Sequence, residues 1–269
     1  MYPDASHRRT LPTSIAALLL ACLCLPQAAA ATASLLIWPI NPTIASDESA
    51  TALWLENRGR SPAHLQMRVF EWRQVDGEND YRPQHDVVGS PPMMRIEPGQ
   101  RQMVRLTRTT ATPATGELAY RVIVDEIPTA RTQAPDATAP PAGIRFQLRY
   151  SIPLFIDGQS TATGRGDTRT RHPRESRAHA LSWEITRRDG QAFLDIHNRG
   201  DRHVRLTDIG FRRRDGSHVP LGDGHLGYVL ANGFARWPLK DASVGDGALE
   251  AHVDGHRRHT IPPAPGPSR

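Results

Sequence analysis

A few groups of side chains are spaced as if for chemistry, and each has to be set against the segment that carries it. His252, His256 and His259 recur at an interval that would line one helix face with metal ligands. Gly255 inside the run and the short strand-like segments around it argue against a helix, so no metal is expected. Asp125-Glu126 could move a proton, but the pair falls where a strand-like run stops at Pro128, a place for an ion pair or a turn. Gly158-Gln159-Ser160-Thr161-Ala162 begins like a nucleophile elbow, then has alanine where the last glycine belongs, with no helix after it. The sequence carries no phosphate loop or dinucleotide fingerprint. Neither an enzyme nor a cofactor is expected. Arg68, Arg105, Arg121 and Arg149 are different, because each sits on an expected strand beside core residues. Two readings stand: the stems snorkel and the guanidinium groups face water, or some line a cleft and grip a carboxylate bidentately.

The elements that must hold these arginines are strands. The run Gly143–Phe155 alternates, with Ile144, Phe146, Leu148, Tyr150 and Ile152 on one side and Arg145, Gln147, Arg149 and Ser151 on the other. It follows the Pro/Ala/Thr-rich loop Thr129–Gly143, so it is either a core strand or one whose free edge is offered to another chain. Strands are also expected at Leu35–Ile40, Ala50–Glu56, Leu65–Trp72, Met94–Ile96, Gln102–Leu106 and Leu118–Ile127. Asn57-Arg58-Gly59, Asp76-Gly77 and Pro98-Gly99 supply turns. That is the strand density of an immunoglobulin-like sandwich. Composition shifts to Gly, Thr and Arg over Asp157–Arg174, which places a domain boundary near Asp157–Gly158. Strands resume at Leu181–Thr186, Gln191–His197, Val204–Phe211, Tyr228–Leu230 and Ala235–Leu239, as expected of a second β-sandwich, and Ile261–Arg269 reads as a frayed Pro-rich tail. The fold class is all-β. The expected division is residues 1–33 as signal peptide, 34–157 and 158–262 as immunoglobulin-like domains, and 263–269 as flexible tail.

Residues 1–33 join a basic start (His7, Arg8, Arg9) to an apolar stretch, Ile15–Leu25, short for a membrane span, and then to the small-residue tract Ala28–Ala33. A competing reading makes Leu19-Leu20-Ala21-Cys22 a lipoprotein signal acylated at Cys22. Both cysteines, Cys22 and Cys24, lie in this segment, so the mature chain would have no disulfide, thiol nucleophile or zinc thiolate. Export of such a chain points to the periplasm, and no later stretch is long and apolar enough for an integral membrane segment. The formal charge of +5 raises the question of nucleic acid. The basic residues are scattered and all arginine except Lys240, aromatics make up 6% of the chain, and no recognition motif is present. Nucleic acid is not an expected partner.

Together the residues suggest a family. Ile37-Trp38-Pro39-Ile40, Leu53-Trp54-Leu55-Glu56-Asn57, Arg68-Val69-Phe70-Glu71-Trp72, Ser90-Pro91-Pro92, Glu97-Pro98-Gly99-Gln100, Val104-Arg105-Leu106, Tyr120-Arg121-Val122, Asp125-Glu126-Ile127-Pro128 and Tyr150–Phe155 run in order through the first domain. They resemble the periplasmic pilus chaperones of the chaperone–usher pathway. Leu226–Leu230 and Trp237 extend the likeness more thinly into the second domain. The Trp-Pro-Ile, Ser-Pro-Pro and Ser-Ile-Pro details look like the archaic, spore-coat-U-like branch of the PapD-like superfamily.

The resemblance implies two immunoglobulin-like domains set at an angle like a boomerang. It also implies a donor strand (Ile144, Phe146, Leu148, Tyr150, Ile152) lent to an incomplete pilin or fimbrial subunit, and an outer-membrane usher as second partner. A free donor strand also offers a route to self-association. Classical members hold the subunit's C-terminal carboxylate with an arginine and a lysine, and this sequence places Asn41 and Pro153 at those positions. The anchor is therefore expected at Arg121, with Arg149 and Arg105 behind it. Arg105 and Glu126 also match a family salt bridge whose third position is Asp157 here. A rival from another class is an adhesive or structural sandwich that assembles with copies of itself.

Overall fold

The computed structural model describes residues 34–128, 148–159, 180–221, 225–239, 247–255 and 258–265. Its named elements are all β-strands. In chain order the first ten are β1 (Leu35–Trp38), β2 (Thr43–Ile44), β3 (Ala50–Asn57), β4 (Ala63–Val75), β5 (Glu78–Pro83), β6 (Val87–Ser90), β7 (Met93–Ile96), β8 (Arg101–Arg108), β9 (Glu117–Glu126) and β10 (Arg149–Asp157). They build two sheets, β1-β3-β8-β6 and β2-β10-β9-β4-β5, with β7 also paired to β4. The alternation in the sequence is what closes them face to face. Leu53 and Leu55 of β3, Val104 and Leu106 of β8, Tyr120, Val122 and Val124 of β9 and Leu154 of β10 all enter one core. Each fully buried aliphatic side chain stabilises this core by about 1.5–3 kcal/mol.

The remaining strands are β11 (Leu181–Arg188), β12 (Gln191–Asn198), β13 (Val204–Arg213), β14 (His218–Pro220), β15 (His225–Val229), β16 (Gly233–Pro238), β17 (Gly247–Val253) and β18 (Arg258–Ile261). Sheets β11-β12-β16 and β14-β13-β17-β18, with β15 on β13, enclose a second core around Leu194, Ile196, Leu206, Phe211 and Leu249. The fold is the all-β, two-sandwich architecture expected from the sequence.

Both sandwiches use the same corner. At the end of β3, the Asn57 side-chain amide donates to the Ser61 and Ile96 carbonyls while Gly59 N–H donates to Asn57 Oδ1. At the end of β12, Asn198 donates to the carbonyls of Arg202, Val229 and Leu230, and Gly200 N–H returns the bond to Asn198 Oδ1. The two Asn-Arg-Gly signals are thus buried asparagines that satisfy loop carbonyls which would otherwise lose water unpaired.

One expectation changes. The segment from Ile261 does not fray at its start: Trp183 Nε1 donates to the Ile261 carbonyl at 3.0 Å, and Ala264 N–H donates to the Trp183 carbonyl at 2.7 Å. A Pro-rich stretch retains carbonyl acceptors and one usable amide, enough to lie along β11. β17 has no counterpart among the expected strands: Glu250, between Leu249 and Ala251, is itself buried and paired with Arg212 at 2.6 Å, which breaks the alternation.

Candidate functional site

The site is built around one strand. β10 pairs antiparallel with β9 along its length, from Arg149 opposite Asp125 to Asp157 opposite Glu117. On its other side β2 meets only Phe155 and Ile156, in parallel. Among the described residues, Arg149–Leu154 therefore have a strand on one side and none on the other. Their outward backbone groups are free to pair with another chain.

The expected donor row divides at this point. Ile152 is 7% exposed and lies in the chain's own core, with Tyr150 packed against it, so these two already complete the first sandwich. Leu148 is half-buried and its carbonyl accepts from Glu126 N–H at 3.1 Å. Ile144 and Phe146 lie outside the described residues.

Residues of β4, β9 and β10 that face away from the core form ranks. Arg149 and Asp125 are opposite one another, then Ser151, Ile123 and Arg68, then Pro153, Arg121 and Phe70. Asp125 accepts from Arg68 at 2.6 Å and from Arg149 at 2.5 Å. Burial works to raise its pKa, but the hydrogen bonds and charges of the two arginines prevail and hold the carboxyl below its ordinary value. Arg149 is thus already engaged, as half of a pair.

Arg121 is placed differently. Its guanidinium carbon lies 3.7 Å from the centroid of the Trp72 ring and 5.6 Å from that of Tyr228. Nε is buried without a hydrogen-bond partner. Burial pushes its pKa down, opposed by Tyr81 and Tyr228, and no ion pair to an acidic side chain offsets the loss of water among the described residues. A desolvated cation in an aromatic niche is a receptor for an anion.

Arg105 does not belong to this group. Val104 and Leu106 face the core, so Arg105 projects from the opposite sheet, between Ala52 and Ser90. Glu126 ends β9 in the other sheet, so the expected Arg105–Glu126 pair falls on different sheets. Asp157 pairs instead with Arg202 at 2.5 Å. His252 and His259 lie on β17 and β18, where His252 faces Arg258 and Ala251 faces His259. His256 is outside the described residues, and no group of ligands fit for a metal occurs among those described.

Below Arg121 the two sandwiches meet at an aromatic cluster. Trp72, Phe155 and Leu230 are buried together with Tyr228 against them. The His203 ring stacks on Phe155 at 3.5 Å, while its Nδ1 lies 2.7 Å from Glu117, whose side chain is 1% exposed. Gln74 donates to the Tyr228 carbonyl and accepts from Leu230 N–H, and the Tyr228 hydroxyl donates to Asn41 Oδ1 at 2.9 Å. Sequence reasoning missed Gln74, Glu117, Arg202 and His203. The sequence signal was that Trp72 and Phe155 are large aromatic residues on outward faces that also carry Arg68, Gln74, Arg149 and Asp157.

A family model described as the pili and flagellar-assembly chaperone, PapD N-terminal domain, matches residues 42–161. A crystal structure of the CsuC–CsuE chaperone–tip adhesion subunit pre-assembly complex, from archaic chaperone-usher Csu pili of Acinetobacter baumannii, matches at 29% identity and TM-score 0.67. It covers 86% of this chain and 100% of that one. The Pseudomonas aeruginosa CupB2 chaperone matches at 16% identity and TM-score 0.56, over 84% and 97% of the two chains. A Salmonella enterica SafA pilin–SafB chaperone complex matches at 18% and 0.56, over 87% and 97%; these last two show the fold. Comparison with curated protein sequences returns no match. Family and fold are those of assembly chaperones, which are not enzymes. Over residues 42–161 the chain matches the PapD N-terminal chaperone domain, and its fold is that of the PapD-like pilus-assembly chaperones.

Proposed function

We propose that this protein is a periplasmic chaperone of the archaic branch that completes pilin subunits by strand donation and passes them to an outer-membrane usher. The observation that carries this reading is the open side of β10 over Arg149–Leu154. The row facing the chain's own core at Ile152 and Tyr150 continues, at the spacing of two, through Leu148, Phe146 and Ile144. A subunit lacking its last strand has an apolar groove and an unpaired edge, and this segment supplies both missing parts. Each apolar side chain placed in the groove contributes roughly 1.5–3 kcal/mol before ordering costs. A one-residue slip would drive Arg145 and Gln147 into it, so register is fixed.

Arg121 anchors the subunit's terminal carboxylate in its aromatic niche. Residues 1–33 direct export, 34–157 and 158–262 are the two domains, and exchange of the donor strand for one from the next subunit drives assembly. The similarity to a chaperone held with a tip subunit in Csu pili supports the reading. Phe146→Asp tests it: the chain should fold normally, yet no subunit should be recovered with it from the periplasm. Normal recovery with this variant contradicts strand donation.

A further inference from the structure

We propose that the arginine pair around Asp125 reads an acidic side chain on the partner, so that the strand joining β10 carries Asp or Glu on its outer face level with Arg149. This rests on the strand-donation reading. Arg149 reaches Asp125 through Nε, and among the described residues its two terminal amino groups make no hydrogen bond. Arg68 spends one terminal amino group on the same carboxylate. One anion is shared by two cations whose side chains are 67% and 45% exposed, while the Asp125 side chain is 13% exposed. The rank keeps a positive charge and unused donors next to the open edge.

A strand added there places its side chains about 5 Å from those of β10, so those on the outer face stand beside Arg149 and Ser151. A carboxylate in that place meets the guanidinium fork in parallel hydrogen bonds, whereas lysine or arginine meets a like charge. Asp125 is a positioning residue: held through Nε, Arg149 lies along the sheet with its fork outward instead of sampling solvent. Arg121 binds a chain terminus in a buried niche; Arg149 selects a side chain at the rim, where charge governs discrimination and encounter.

The probe is the subunit that co-purifies with the full-length chain, identified by mass spectrometry and then co-expressed with variants of known melting temperature. Arg149→Glu should weaken binding about tenfold or more, and Arg149→Gln, which removes charge with little change of size, should weaken it less and flatten its salt dependence. Exchanging the facing acidic residue of the subunit for arginine should restore binding to Arg149→Glu. Removing the subunit's terminal carboxylate should add its own loss unchanged in both backgrounds. Wild-type affinity in both Arg149 variants, or no rescue by any acidic-to-arginine exchange in the pairing strand, overturns the proposal. If Phe146→Asp abolishes binding in the same assay, strand donation survives that outcome; if it does not, both readings fall.

Discussion

Arg121 and Arg105 show how much a single residue's neighbours decide. Both sit between buried residues on a strand, and in the sequence they are equivalent. Register separates them: Arg105 emerges from the sheet that faces solvent, while Arg121 emerges under Trp72 and Tyr228, from positions 72 and 228 of the chain. Nothing local in the sequence encodes which sheet ends up against the second sandwich. The same holds for Asp125, legible as an ion-pair residue but not as one shared by Arg68 and Arg149. On the proposed role of Arg121 as anchor, Arg121→Ala should weaken binding of an intact subunit far more than of one whose C-terminal carboxylate is amidated. Affinity measured for both forms checks this, and equal losses would remove Arg121 from the role. Arg121→Lys should restore only part of the loss, because a compact ammonium neither stacks on Trp72 nor presents a planar fork.

Strands were the most legible elements, because period-two alternation is enforced wherever a sheet has one buried face. β3, β8, β9, β12 and β13 appear where the pattern puts them. Those the pattern does not reveal have identifiable reasons. β5, Glu78–Pro83, carries no buried side chain and exists because the hairpin tip at Asp76-Gly77 returns it onto β4. That tip is also a contact point. Asp76 and Gly77 have φ of 52° and 84°, the left-handed conformation a two-residue hairpin needs. A Cβ at Gly77 would stand 2.6 Å from Arg236 Cβ, and Arg236 N–H donates to the Gly77 carbonyl at 3.0 Å. Gly77→Ala should therefore destabilise the protein by about 1–3 kcal/mol, from backbone strain and crowding together. Gly99→Ala, at φ 73° with nothing near its Cβ, isolates the strain and should cost less. Denaturant titration of both compares them directly; equal costs would show that the tip does not press on β16.

For the whole molecule, the second sandwich matters to the first because it grips the root of β10. Phe155 of β10 lies between Trp72, Tyr228 and His203, and Asp157 at its end pairs with Arg202. Two sandwiches in succession could be read from the strand count and the composition shift. The junction could not, since Gln74 and Tyr228 are separated by more than 150 residues and nothing in either segment marks the other as its partner. The consequence is a strand fixed at one end by aromatic packing and paired on one side, with its other side open over Arg149–Leu154 among the described residues. Amide hydrogen exchange of the free and subunit-bound protein tests that consequence most directly. Amides of Leu148–Leu154 that point away from β9 should exchange quickly in the free protein and become strongly protected on binding, alternating with amides already protected by β9. Exchange at those positions that is unchanged by a bound subunit would contradict the account.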